Sequence, residues 1–110
     1  EQLTDILSAN RRRITIDEIQ RTVCQFYRID RSEMSSKRRA RAVVRPRQVA
    51  MYLVREMLKT PLKEIGRSFG GRDHGTVIHA CRTIDSRLDV EEDFRHRVTR
   101  IRAELDRLGS

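Results

Sequence analysis

The chain has 110 residues, 24 basic and 16 acidic side chains, a net charge of +8 and a pI near 10.7. That length allows one domain around one modest core, and 37% hydrophobic with 36% charged residues suits a polar globular domain. No apolar run approaches the ~18 residues of a membrane span, and Glu1-Gln2-Leu3-Thr4-Asp5 is not the basic, then apolar start of a secretory signal.

The first residue is Glu1 rather than Met, so a piece of a longer chain is expected. Gly and Pro are scarce, at five and two, and no strand-like alternation with turn dipeptides occurs, so the chain reads as all-α. Residues 2–9 suggest a helix ahead of Arg11-Arg12-Arg13. Thr15-Ile16-Asp17-Glu18 is a capping box that opens a helix to about Ile29. Asp30-Arg31-Ser32-Glu33 starts a short turn carrying Met34. A basic loop follows, and Pro46 suits the first position of the next helix. Val49, Ala50, Leu53, Val54, Met57 and Leu58 form its apolar stripe. Thr60-Pro61 then reads as N-cap and first residue of a helix through Leu62, Ile65 and Phe69. Gly70-Gly71 ends it. Asp73 caps a helix to about Leu88, and Asp89 with Glu92 caps a last one bearing Phe94, Val98, Ile101, Leu105 and Leu108.

The charge is unevenly spread. Residues 36–82 hold twelve basic and three acidic side chains, whereas the segments on either side are close to neutral. Arginine dominates, 21 to three lysines. GC-rich coding alone favours arginine, but its planar fork also matches phosphates and guanine edges. From Lys37 to Arg47, six of eleven residues are basic and none is acidic. Like charges at that density repel one another until a polyanion neutralises them. Because apolar periodic segments flank it, the stretch reads as a polyanion-binding loop rather than a disordered tail.

Two helices joined through Gly70-Gly71-Arg72 form a helix-turn-helix, with a turn about one residue longer than the common form. At ~100° per residue, Val77, Cys81, Ile84 and Leu88 share one stripe of the second helix, flanked by Ala80. The opposite side carries Gly75, His79, Arg82 and Ser86, with Thr76 and Ile78 beside them. Such a helix buries one side and presents small, hydrogen-bonding groups on the other. Its free N–H groups and positive dipole end also suit a phosphate.

The run Phe69-Gly70-Gly71-Arg72-Asp73-His74-Gly75-Thr76-Val77-Ile78-His79-Ala80 resembles the signature of the C-terminal DNA-binding domain of the bacterial DnaA replication-initiator family. Ser36-Lys37-Arg38-Arg39-Ala40-Arg41 with Arg45-Pro46-Arg47-Gln48 is similar to that family's basic loop, and Ile14-Thr15-Ile16-Asp17-Glu18-Ile19-Gln20 to its first helix. The resemblance covers about residues 14–107. It implies a small all-α, Trp-repressor-like helix-turn-helix domain over 14–110. Residues 1–13 would be a linker helix from an N-terminal ATPase domain missing here. It further implies monomeric binding to short asymmetric boxes of double-stranded DNA in the replication origin. Asp73, His74, Gly75 and Thr76 would lie in the major groove and Arg39 in the adjacent minor groove. Lys37, Arg41, Arg47, Gln48, Arg55 and the Leu62-Lys63 backbone would line the phosphates. The residue chemistry agrees: Asp accepts from cytosine, His donates to a purine edge, and a Thr methyl meets a thymine methyl. The family usually has Thr where Gly75 stands.

The same resemblance implies a bacterial, cytoplasmic, nucleoid-associated protein. ATP and self-assembly would belong to the missing domain, and acidic phospholipid contact to the region of the linker helix. A Trp-repressor-like transcription regulator and a transposase-type DNA-recognition domain share the pattern. A lipid adaptor would instead place its basic residues on an amphipathic helix after Arg13. No Walker motif, nucleophile–base pattern or zinc-ligand spacing occurs, so neither cofactor, metal nor enzymatic activity is expected of this fragment. Cys24 and Cys81 fall on apolar stripes, as buried thiols do.

Overall fold

Thr15 begins the folded part of the chain with a reciprocal cap. Its hydroxyl accepts the Glu18 N–H at 3.1 Å, and the Glu18 carboxylate accepts the Thr15 N–H at 2.9 Å. The computed structural model describes residues 13–109. The helix expected over 2–9 and, apart from Arg13, the linker expected over 1–13 lie outside the described residues. The capped helix, α1, runs Ile16–Tyr27 and ends at Arg28 in the left-handed region, φ 57°. Asp30 then caps a 3-10 turn, Arg31–Met34, whose Met34 is fully buried.

The next helix departs from expectation. α2 runs Arg41–Leu58, so it begins five residues before Pro46, and Pro46 sits inside it. Half of the expected loop is therefore two turns of helix. Helical phase explains the override: Val43, Pro46 and Ala50 recur on one face and are all buried. Burying a valine contributes roughly 1.5–3 kcal/mol. This early in a helix, proline gives up only the bond to the carbonyl of Ala42, an exposed residue that water can solvate.

Helix α3, Leu62–Ser68, starts one residue later than expected, with Pro61 rather than Thr60 at its N-cap. The Pro61 carbonyl accepts the N–H groups of Glu64 and Ile65, both at 3.0 Å. α4 spans His74–Val90 and α5 spans Glu92–Leu108. Asp89 with Glu92 does not cap α5, because α4 continues past Asp89 and breaks only at Glu91. Arg87 fixes the break there. Its guanidinium holds Glu91 at 3.1 and 3.2 Å and lies 3.7 Å from the Phe94 ring centroid.

The described residues thus form five α-helices and one 3-10 turn, with no strand. α2 is central and packs on α1 and α4; α3 crosses α4; α5 closes over α1 and α4. Ile19, Leu53, Ile65, Phe69, Ile84, Ile101 and Leu105 fill the core. Cys24 and Cys81 are free, buried thiols, and burial pushes the pKa of each up. No described helix is long and apolar enough to cross a membrane.

Candidate nucleic-acid interface

The turn between α3 and α4 is wound on one atom. The Gly66 carbonyl accepts three N–H groups, from Phe69 at 3.2 Å, Gly71 at 3.0 Å and Arg72 at 2.9 Å. A side chain at 66 could not coexist with that winding, because its Cβ would lie 2.0 Å from the Arg72 carbonyl oxygen. Gly70 and Gly71 take positive φ, 84° and 77°, and turn the chain into α4.

α4 starts with a committed carboxylate. Asp73 Oδ1 accepts the Thr76 N–H at 2.9 Å as the N-cap. This bond, with the Thr76 hydroxyl, holds the Asp73 carboxyl below the usual carboxylate range. Asp73, His74, Gly75 and Thr76 are all exposed, while Val77, Ala80, Cys81 and Ile84 are buried. The two sides of α4 are divided as its sequence predicts. Leu88 is only half-buried, and Ile78 is half-buried beside the exposed His79 and Arg82.

The basic segment is ordered from below. Arg47 is only 4% exposed. Its guanidinium donates to the Glu33 carbonyl at 2.7 and 3.0 Å, to the Arg38 carbonyl at 3.2 Å and to the Ser36 hydroxyl at 3.0 Å. The residue expected along the phosphates is therefore enclosed beneath the loop, holding its backbone. Glu33 adds two anchors, accepting from the Ser36 hydroxyl and Arg38, both at 2.6 Å. These donors hold the Glu33 carboxyl low. Lys37, Arg39 and Arg41 remain exposed, and no ion pair engages them among the described residues.

Turn and loop are joined. The Arg72 guanidinium donates to the Phe69 carbonyl in the turn and to the Ser36 carbonyl in the loop. Gly70 lies so close to the loop that a Cβ there would be 2.6 Å from the Ser35 carbonyl oxygen. Burial lowers the pKa of Arg47, and so does the nearby Arg72 guanidinium. Glu33, Ser36 and Arg72 were missed as site residues in the sequence. The available signal was an arginine wedged between Gly-Gly and an Asp whose carboxylate is committed to capping the next helix.

The other expected residues divide into two grooves. Lys63 shares one with Arg67, Gly71, Arg72, Asp73 and His74. Arg55 and Leu62 share another with Ile78, Cys81, Arg82 and Asp85, between α2, α3 and α4. Gln48 is half-buried on α2, and Leu62 is half-buried at the start of α3. The surface so assembled combines exposed Arg39 and Arg41, which have no ion pair among the described residues, two helix starts and a small-residue helix face. Chemically it can pair with phosphates and offer hydrogen bonds to groove edges.

Comparison with known proteins gives one answer. A family model described as bacterial dnaA protein helix-turn-helix matches residues 16–84. Chromosomal replication initiator protein DnaA of Sphingopyxis alaskensis is 61% identical over 97 residues, which is 83% of this chain and 21% of that protein. The protein of the same name from Chromobacterium violaceum is 50% identical over 96 residues, 87% of this chain and 21% of its own length. A crystal structure of a DNA replication initiation factor superposes with a TM-score of 0.75 at 30% identity, covering 84% of this chain and 28% of that one. The chain thus spans about a fifth of the curated relatives it matches. It belongs to the bacterial DnaA helix-turn-helix family.

Proposed function

We propose that this chain is the double-stranded DNA-binding module of a chromosomal replication initiator, and that it reads asymmetric boxes in the replication origin. One observation carries the reading. An acid-free basic loop and the exposed start of a recognition helix are held side by side on one surface. Asp73, His74, Gly75 and Thr76 face base edges in the major groove. Arg39 enters the neighbouring minor groove, where a narrow A·T stretch deepens the negative potential. Lys37, Arg41, Gln48, Arg55 and the α3 start at Leu62 and Lys63 lie along the phosphates and set the register. Each box takes one copy. ATP use and self-assembly belong to an N-terminal part of the longer protein, and residues 1–13 connect to it. Acidic phospholipid contacts the region of that connection, and the protein works in the bacterial cytoplasm on the nucleoid. Within this fragment the role is binding, not catalysis.

The test is a selection from random duplexes followed by affinity measurements. An asymmetric box is the expected product. Arg39→Ala and His74→Ala should each weaken binding to that box far more than to a scrambled duplex. Equal losses on both duplexes would remove the base-reading assignment.

A further inference from the structure

The basic loop and α4 come from distant parts of the chain, yet each must meet the same duplex in a fixed register. A loop of exposed arginines would by itself sample many positions. Three contacts stop it from doing so. Arg47 holds the loop backbone from below, at Glu33 and Arg38. Gly70 packs directly on the Ser35 carbonyl. Arg72 joins the Phe69 carbonyl to the Ser36 carbonyl. The Arg72 backbone is itself pinned by its N–H to Gly66, 2.9 Å, and the next residue is the N-cap of α4. So one residue has its main chain fused to the start of the recognition helix and its side chain fused to the loop.

We infer that Arg72 is a positioning residue: it sets the spacing between the loop contact and the α4 contact, and so makes the chain selective for box geometry as well as base sequence. This rests on the reading that the loop and the start of α4 face one duplex. Arg72 is half-buried, and its guanidinium is spent on two carbonyls. Its effect on DNA is therefore indirect. A rigid link makes the two contacts available only at one separation. Inserting one base pair between the two halves of the box displaces one half by about 3.4 Å and turns it by about a tenth of a helical turn. A clamped protein then loses one contact outright, which is worth about 5- to 150-fold in affinity.

The experiment measures affinity of the 110-residue chain for the selected box and for the same box with one base pair inserted, at several salt concentrations. For the unmodified chain the ratio of the two affinities should be large, about 5- to 150-fold. For Arg72→Met it should fall to within about threefold, with the salt slope unchanged, because the loop, still held from below by Arg47, is no longer tied to the start of α4. Arg72→Lys, which can still donate to one carbonyl, should give an intermediate ratio. It also serves as the readout if Arg72→Met does not fold by circular dichroism. An unchanged ratio in the folded variant overturns the inference. So does a salt slope lowered by about one with the ratio intact, which would make Arg72 a phosphate contact. If the unmodified chain selects no box at all, the proposed function falls, and the inference with it.

Discussion

Arg72 and Ser36 stand 36 positions apart, and a hydrogen bond from the guanidinium of one to the carbonyl of the other joins the helix-turn-helix to the basic loop. The acceptor is a main-chain oxygen, so the bond constrains the loop's path and not merely one of its side chains. That constraint leaves Lys37, Arg39 and Arg41 exposed on a backbone that is already ordered. Ordering a loop before binding removes a conformational cost of roughly 1–2 kcal/mol per residue from the binding step.

Gly66→Ala should be severely destabilising. The added methyl meets the Arg72 carbonyl oxygen at 2.0 Å, and neither backbone can yield without undoing the turn. A loss of about 3 kcal/mol or more is expected in urea unfolding. A variant as stable as the parent would show that the turn can be rewound.

Arg47→Ala should lower stability by about 2–3 kcal/mol, because it strips charge-assisted bonds from the Glu33 and Arg38 carbonyls. Affinity for the box should fall more than affinity for a scrambled duplex, because the loop that disorders carries Arg39. Salt dependence separates this role from the phosphate contact that the family resemblance implied. With the guanidinium enclosed, the slope of log K against log salt should stay the same; a slope flatter by about one would instead mark a direct phosphate contact.

Gly75→Thr should fold normally. A Cβ at 75 makes only an ordinary van der Waals contact, with Asp73 Oδ1 at 3.7 Å, and the backbone there is helical. Thr exceeds Gly in helix propensity by ~0.3 kcal/mol, so thermal stability should be unchanged or slightly raised. The new hydroxyl and methyl should sharpen discrimination at one base pair by ~1–3 kcal/mol in a repeated selection. Identical selected boxes for the two proteins would show that position 75 does not face a base.

Asp73 titration should make α4 acid-sensitive. Its carboxyl is held low by the Thr76 bonds, so the cap's stabilisation is fully present above the unfolded pKa, about 3.9, and is lost as pH falls through the lower folded value. Asp73→Asn keeps an acceptor at the N-cap but cannot titrate. Its melting temperature should match the parent at pH 7 and fall less steeply below pH 4. Parallel acid curves for the two proteins would mean the cap does not contribute to the acid limb.

Much of this was legible beforehand because the signals are local. The Thr15–Glu18 box, the Asp73 cap and the 3.6-residue stripe of α4 each act within one or two turns, and all three stand where the sequence placed them. The start of α2 differs because proline's local preference gives way to the burial of Val43 and Pro46, which only the packed α2 face supplies. The α4–α5 break moved for the same kind of reason, since Arg87 stacks on Phe94 only once the two helices are folded on each other.

The sequence by itself determined an all-helical domain, a helix-turn-helix with a small-residue reading face, and a positive charge concentrated on residues 36–82. These follow from periodicity, capping chemistry and charge, which are properties of neighbouring residues. The tertiary structure decided which arginines meet solvent and which hold the fold. Arg47 and Arg39 lie in the same basic run, yet one is enclosed by loop carbonyls and the other is exposed. Backbone carbonyls carry no sequence signature, so a partner such as Ser36 for Arg72 exists only where the folded chain brings the two together.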